Sequence, residues 1–340
     1  MFGRDHPIVK DAVDQYGLTP EFVVEYLGYQ GFQVAGDCLR WDDLRNSLAP
    51  LSRMYVDFAM TCVQRARGAA DHVVAALPPM RTNDASRRRY LDVGCGYGGF
   101  VREFTFRGFD AVGVELQRHL AAFSRANCID LPTAQIVEGD VLDMGGRVSG
   151  EFHAITCNDV IEHVKDARKT IEVLASKLAS RGVLFLEIPN KDCIQSVASD
   201  GHYQQFGLTL LERHASAGLL QATTGASDYL VEMGEMYPLS YYVSALRSHG
   251  LIVEVRQVHR VGAIGDSAHL ARMLINAWTI WTDSHSDAVG AHLRQHVDER
   301  VGAYLREFWS GYVDALSGTG REDFELRFLN AFWTVIARRP

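Results

Sequence analysis

From residue 90 onward the chain alternates short apolar runs with helical patterns, and this alternation constrains its fold more than any other feature of its 340 residues. Strands are predicted at Tyr90–Val93, Ala111–Glu115, Ala134–Glu138, Phe152–Cys157 and Val183–Ile188, with helical periodicity between most of them. Parallel strands need long crossovers, so the pattern reads as a parallel sheet with helices on both faces. Leu239–His249 continues it as a helix closed by Gly250, and Leu251–His259 as a sixth strand. A seventh strand, Ala331–Arg338, comes only at the end.

The first strand runs into Tyr-Leu-Asp-Val-Gly-Cys-Gly-Tyr-Gly-Gly-Phe, residues 90–100. Glycines at a strand-to-helix turn let the backbone approach a ligand, and the helix N-terminus offers N–H groups to an anion. A nucleotide-like cofactor is therefore expected. Gly94-x-Gly96-x-x-Gly99 also fits the dinucleotide fingerprint, so an NAD-dependent oxidoreductase stands as an alternative at this point. Asp92 ends the first strand and Glu115 ends the second, 23 positions later, where an acid can accept from both ribose hydroxyls. Asp140 follows the third strand, where a carboxylate can accept from an adenine amino group, and Asn158-Asp159 ends the fourth.

The remainder is predicted to be largely helical. Thr19-Pro20 forms an N-cap and first turn, with Gly28 as the stop. Met54, Phe58, Cys62, Ala66, Ala70, Val73 and Leu77 make one face of a single helix ended by Pro78-Pro79, and Arg81 to Arg89 is a polar linker. Lys191–Pro238 is a long connection with one helix at Leu208–Leu220. Gly262–Gly320 reads as a helical hairpin: Leu270, Leu274, Ala277 and Trp281 line one arm, and Val289, Leu293, Val297, Val301, Leu305, Trp309 and Val313 the other. Six cysteines (Cys38, Cys62, Cys95, Cys128, Cys157, Cys193) form no CxxC pair, which argues against a thiolate zinc site. With no signal-like start and no membrane-length apolar run, a cytoplasmic protein is expected.

Taken in order, Leu-Asp-Val-Gly-Cys-Gly, Val-Gly-Val-Glu-Leu, Glu-Gly-Asp-Val, Asn-Asp-Val-Ile-Glu-His-Val and Leu-Phe-Leu-Glu-Ile-Pro-Asn make the chain resemble the class I S-adenosylmethionine-dependent methyltransferases over roughly residues 88–260 and 328–340. The resemblance implies an α/β, Rossmann-like seven-stranded sheet, six strands parallel and the last, Phe-Trp-Thr-Val-Ile-Ala-Arg-Arg-Pro, antiparallel. It implies S-adenosylmethionine as cofactor. The loop of Asp92, Gly94, Cys95 and Gly96 would hold the methionine moiety, and Glu115 with Leu116 the ribose side. Asp140 and Val141 would meet the adenine, with Asn158 completing the cofactor set.

Asp159, Glu162 and His163 are spaced i, i+3, i+4 and share a face if they open the helix after the fourth strand. Two carboxylates and an imidazole suit a divalent cation such as magnesium, manganese or zinc, with His202 as a fourth ligand from the neighbouring strand end. The arrangement resembles the acid-x-x-Glu-His element of ubiquinone-pathway O-methyltransferases and of small-RNA terminal 2′-O-methyltransferases, in which a metal touches the substrate hydroxyl. Asp159 stands where those proteins usually carry Glu. Two other readings remain open: His163 or His202, with Asp159, as metal-free acid–base catalysts, or Asp159 and Glu162 as partners of a helix N-terminus. His153, His214, His249 and His259 read as structural, and Tyr16, Tyr26, Tyr29 and Tyr55 as helical core rather than an aromatic acceptor pocket.

The resulting expectation is an enzyme that methylates a small-molecule hydroxyl on a sugar, polyol or natural product. A net charge of −8 weighs against RNA as the acceptor, although an RNA 2′-O-methyltransferase stays as an alternative. The expected organisation is a helical cap over 1–88, a cofactor-binding core over 89–260 plus 326–340, a lid-like connection over 191–238 and a helical hairpin over 262–325. No membrane contact is expected, and the helical insertions are the expected homodimer face.

Overall fold

The computed structural model describes residues 3–32, 40–79, 87–144, 146–285 and 288–340. Its strands are β1 (Arg89–Val93), β2 (Asp110–Glu115), β3 (Ala134–Glu138), β4 (Phe152–Asn158), β5 (Leu178–Pro189), β6 (Ile252–Arg256) and β7 (Phe332–Arg338). They form one seven-stranded sheet in the order β3-β2-β1-β4-β5-β7-β6. β1 lies parallel to both β2 and β4, and β2 parallel to β3, with Val93 opposite Val114 and Cys157, and Glu115 opposite Glu138. β7 runs against its neighbours. The Asn190 N–H bonds Ala331 and the Arg339 N–H bonds Gly182, while Arg260 and Asn330 form an antiparallel bridge. The predicted alternation is thus the observed one. Helices Gly99–Phe106, Arg118–Asn127 and Ala167–Lys177 follow β1, β2 and β4, and Leu239–Ser248 precedes β6.

By contact density the chain divides into two units. The first comprises Met1–Cys157, Val173–Phe185 and Arg338–Pro340; the second comprises Asn158–Glu172 and Leu186–Ala337. In the first, helices Pro7–Tyr16, Pro20–Tyr29, Trp41–Ser47, Pro50–Met60 and Cys62–Ala76 pack around Phe22, Tyr26, Trp41 and Phe123. The Thr19 hydroxyl accepts from the Phe22 N–H, as a capping residue should, but Gly28 lies within its helix and the chain turns at Gly31 (φ +68°) instead. The single helix expected over Met54–Leu77 is two helices, broken at Thr61. Cys62, Ala66, Ala70 and Val73 are buried, whereas Met54 and Phe58 are exposed, because the break re-aims the apolar face. Cys38 and residues 81–86 of the expected linker lie outside the described residues. None of the five described cysteines is in a disulfide, and all are buried.

In the second unit, helices Ser267–His285 and Ala291–Leu316 enclose a core with Phe206, Leu219, Trp281, Val297, Val301 and Phe308. The stripe expected on the longer helix steps four residues each time and so rotates about 40° per step relative to a 3.6-residue turn. Beyond Val301 the buried face therefore moves to Tyr304 and Phe308, leaving Trp309 and Val313 exposed. The connection after β5 carries helix Arg213–Thr224, later in sequence than expected, and short helices Ile194–Ala198 and Tyr229–Glu232. No helix among the described residues is long and apolar enough to cross a membrane.

Candidate functional site

The ends of β1, β2 and β3 in the first unit shape one cradle. Gly94, Gly96 and Gly98 all have φ between +50° and +77°, the left-handed region that side chains disfavour. The N–H groups of Gly94 and Cys95 bond the Val114 carbonyl, which curls the loop over β2. Glu115 then fastens it from below: its Oε2 accepts from the Gly96 N–H and its Oε1 from the Gln117 N–H, both at 2.9 Å. Each carboxylate oxygen retains a lone pair for a hydroxyl. A Cβ on Gly96 would meet nothing nearer than the Gly94 carbonyl at 3.9 Å, so this side of the loop is open. Gly99 is different. A Cβ there would overlap the Cys62 carbonyl, so Gly99 serves helix packing rather than a ligand. The Cys95 thiol is buried and its pKa is driven up by that burial, leaving its backbone as the part a ligand can reach. Leu116 stands exposed beside Glu115, and Asp140 caps the turn Val141–Asp143 through the Leu142 N–H at 2.8 Å.

Asp92 lies beneath this cradle. It is 2% exposed, and Thr156 donates to its Oδ1 at 2.7 Å while in turn contacting the Tyr90 hydroxyl. Its Oδ2 is buried with no hydrogen-bond partner. Burial first, then the Glu115 charge, pushes its pKa up to about 7. A carboxyl group raised in the folded state holds its proton while the unfolded chain ionises. Stability is therefore lost as pH rises from the ordinary Asp range toward about 7. Asp92→Asn keeps the Thr156 bond without the charge. Chemical denaturation should find the variant gaining on the parent between pH 4 and 7, by up to ~4 kcal/mol. An unchanged difference across that range would show that Asp92 ionises freely.

In the second unit, Asp159, Glu162 and His163 do not open a helix. They lie on a turn closed by the His163 N–H to the Val160 carbonyl, with Asp159 at φ +52°. The helix begins only at Ala167, and Asp166 bonds its Lys169 N–H, so Asp159 and Glu162 do not serve its N-terminus. The turn changes which residues meet. Glu162, His163 and His202 bring one donor atom each within 4.8 Å of one another, and Asp159 is not among them. The Nε2 atoms of His163 and His202 lie 3.7 and 4.0 Å from Glu162 Oε1, with the two rings edge to face at 5.0 Å. Glu162 is 1% exposed, and neither of its oxygens has a hydrogen-bond partner. Burial, then the Asp159 charge, holds its carboxyl well above the usual range.

Backbone contacts aim the two imidazoles. His163 Nδ1 lies 2.7 Å from the Glu232 carbonyl, which places the proton on Nδ1 and leaves the Nε2 lone pair on the Glu162 side. Gly234 donates to the Glu162 carbonyl at 2.6 Å, and a Cβ there would overlap Val164, so only glycine lets this strap seat. His202 is presented by buried Asp200, whose Oδ1 accepts from the N–H groups of His202 and Tyr203 at 2.9 and 2.8 Å. Desolvation and the neighbouring His163 push His202 down to about 4, so it is neutral near pH 7. Glu232, Gly234 and Asp200 carry no motif in the sequence. The Asp-x-His turn was the one local signal available.

Other expected residues divide. Asn158 donates to Asp159 Oδ2 at 3.0 Å. Tyr16 and Tyr26 are core, whereas Tyr29 and Tyr55 are more than half exposed. His153 accepts from the Arg89 N–H through Nδ1, and His249 caps a helix.

Residues 63–253, more than half of the chain, match the family described as a methyltransferase domain. The ubiquinone biosynthesis O-methyltransferase of Xanthomonas axonopodis pv. citri (strain 306) is 34% identical over 128 residues, covering 34% of this chain and 52% of that protein. The Dechloromonas aromatica (strain RCB) protein of the same name is 29% identical over 108 residues, covering 31% of this chain and 46% of its own. The chain thus spans about half the length of the curated relatives it matches. Among solved structures, an S-adenosylmethionine-dependent methyltransferase of Mesorhizobium loti aligns at 16% identity and a TM-score of 0.45, covering 81% of this chain and 100% of that one.

Proposed function

Because the chain belongs to the methyltransferase-domain family, as a class I S-adenosylmethionine-dependent methyltransferase, we propose that it methylates a hydroxyl oxygen of a small molecule. The family membership selects the methyl donor over the dinucleotide that the glycine run also allowed. The observation that carries the oxygen reading is the Glu162–His163–His202 cluster. A hydroxyl must lose its proton at about the moment it attacks, and this is chemistry for an acid–base or cation-holding group. The curated relatives, named as O-methyltransferases, agree with it.

The residues of the first unit fit the donor. The left-handed glycines leave the loop face bare, Glu115 would accept from the ribose hydroxyls, and exposed Leu116 would offer an apolar edge to the adenine. The bound donor supplies a methyl group on a sulfonium, which departs as a neutral thioether. In the second unit, Glu162, His163 and His202 fit a divalent cation. A buried carboxylate without hydrogen-bond partners faces two imidazole Nε2 atoms, one of them oriented by a backbone carbonyl. Two nitrogens and one oxygen favour zinc or manganese over magnesium. Such a cation, when bound, lowers the pKa of an oxygen it touches. His163 and His202 orient, Glu162 supplies the negative charge, and the charge pattern of the chain suits a small acceptor rather than RNA.

Two probe acceptors with vicinal hydroxyls, catechol and methyl glucoside, test the reading beside amine acceptors. With methyl-labelled S-adenosylmethionine, label is expected on oxygen. Transfer to amines alone overturns it.

A further inference from the structure

A second histidine–carboxylate pair lies outside the cluster just described, and its histidine, His259, was expected to be structural. His259, just beyond β6, places its Nε2 2.8 Å from Oε1 of Glu187 near the end of β5. The Phe332 ring at the start of β7 packs against the imidazole with centroids 5.5 Å apart. Glu187 is held in turn: its carbonyl accepts from the Asp159 N–H at 3.1 Å, at the start of the turn that carries Glu162. Ligands of open α/β sheets bind beyond the carboxyl ends of the strands, where this pair sits.

We propose that Glu187 and His259 form a carboxylate–imidazole dyad that takes the proton from the acceptor hydroxyl. The inference rests on the oxygen-methylation reading above. The other two histidines are poorly suited to the task. Both turn their Nε2 atoms toward Glu162 Oε1, at 3.7 and 4.0 Å, where the cation reading already uses those lone pairs. His259 lies outside that cluster. Its Nε2 faces a carboxylate, which fixes the proton on that nitrogen and leaves Nδ1 to act as base. Its side chain is also 38% exposed, so the proton can pass on to water. A half-exposed ion pair adds little to stability, so packing alone gives no strong reason for this pair at the ligand edge.

The step balances. The acceptor oxygen forms its bond to the methyl carbon as the carbon–sulfur bond breaks and the electron pair returns to sulfur. The hydroxyl proton goes to neutral His259, and Glu187 stabilises the imidazolium. The groups facing the ring are Glu187 from β5, the Asp159 carboxylate from the turn after β4, and the uncharged Phe332 from β7. Glu187 first, and Asp159 with it, hold the His259 pKa above the ordinary histidine value. The active, neutral form therefore accumulates as pH rises through that raised pKa.

The test compares the full-length parent, His259→Ala and Glu187→Gln, with S-adenosylmethionine and catechol or methyl glucoside as probe acceptor. His259→Ala should lose 10²–10⁴-fold in kcat. Its affinity for S-adenosylhomocysteine should be unchanged, and added imidazole should restore part of the rate. Glu187→Gln should move the acid limb of the pH–rate profile down toward the ordinary histidine value near 6.5. The dyad is overturned if His259→Ala stays within twofold of the parent, or if imidazole rescues nothing and the Glu187→Gln limb does not move. Should His259→Ala fail to fold, the Glu187→Gln profile decides alone. A parent that methylates neither hydroxyl probe overturns the oxygen reading and the dyad with it; a parent that methylates one, with both variants unaffected, overturns the dyad only.

Discussion

Gly96→Arg will give a folded protein that no longer binds S-adenosylhomocysteine. At φ +50° any side chain at this position costs about 1–2 kcal/mol, which a domain of this size can absorb. The larger effect is steric. The Cβ of Gly96 points into space with nothing nearer than the Gly94 carbonyl at 3.9 Å, and an arginine extends from there across the face proposed for the methionine moiety. The same strain shifts the Gly96 N–H that Glu115 accepts, so the carboxylate proposed to hold the ribose loses its anchor. Calorimetry should show affinity falling by more than about 100-fold while thermal unfolding stays cooperative; each tenfold corresponds to about 1.4 kcal/mol. Gly96→Ala, which carries the strain without the length, separates the two effects and should retain measurable binding. Undiminished binding by the arginine variant would place the donor elsewhere.

Glu162→Gln should show the opposite pairing of stability and function. Glu162 is a buried carboxylate whose two oxygens find no hydrogen bond, beside a second acid. Burial of an unpaired charge, or of the proton that neutralises it, is costly. The amide keeps nearly the same shape and removes the charge and its repulsion with Asp159, leaving only the smaller cost of a buried neutral amide. In the presence of a chelator, denaturation should find the variant more stable by roughly 1–2 kcal/mol. Zinc or manganese affinity and methyl transfer should both fall by more than about 100-fold, beyond what loss of a ligand's supporting partner usually costs. A gain in stability with a loss of function marks a residue kept for chemistry. If stability falls while zinc or manganese affinity is unchanged, Glu162 is a packing residue and the cluster holds no cation.

Much of the fold was legible because its elements carry local signals. β3 has the predicted bounds, Ala134–Glu138, and β1, β2 and β4 differ from prediction by a residue at one end, since apolar runs framed by turns leave little freedom. The shape of the loop after β1 was legible for the same reason: its glycines and the acid at the end of β2 act largely through neighbours in sequence. The failures occur where the outcome depends on distant contacts or accumulated geometry. Thr61 breaks a pattern that sequence alone continues, and the i+4 stripe from Val289 drifts off the core because 3.6 is not four. Asp159 was placed on a helix, but the backbone turns there at positive φ and excludes it from the converging donors. The contact of His259 with Glu187 was not legible, because the two residues lie on separate elements and nothing near either announces the other.

The central claim is transfer of a methyl group from S-adenosylmethionine to oxygen. The most direct measurement incubates the purified protein with donor carrying a carbon-13 methyl group and with catechol, and locates the label in the product by NMR. The account predicts a single new methoxy resonance together with stoichiometric S-adenosylhomocysteine. Label on nitrogen or carbon when amine and carbon acceptors are offered alongside, with none on oxygen, would contradict it.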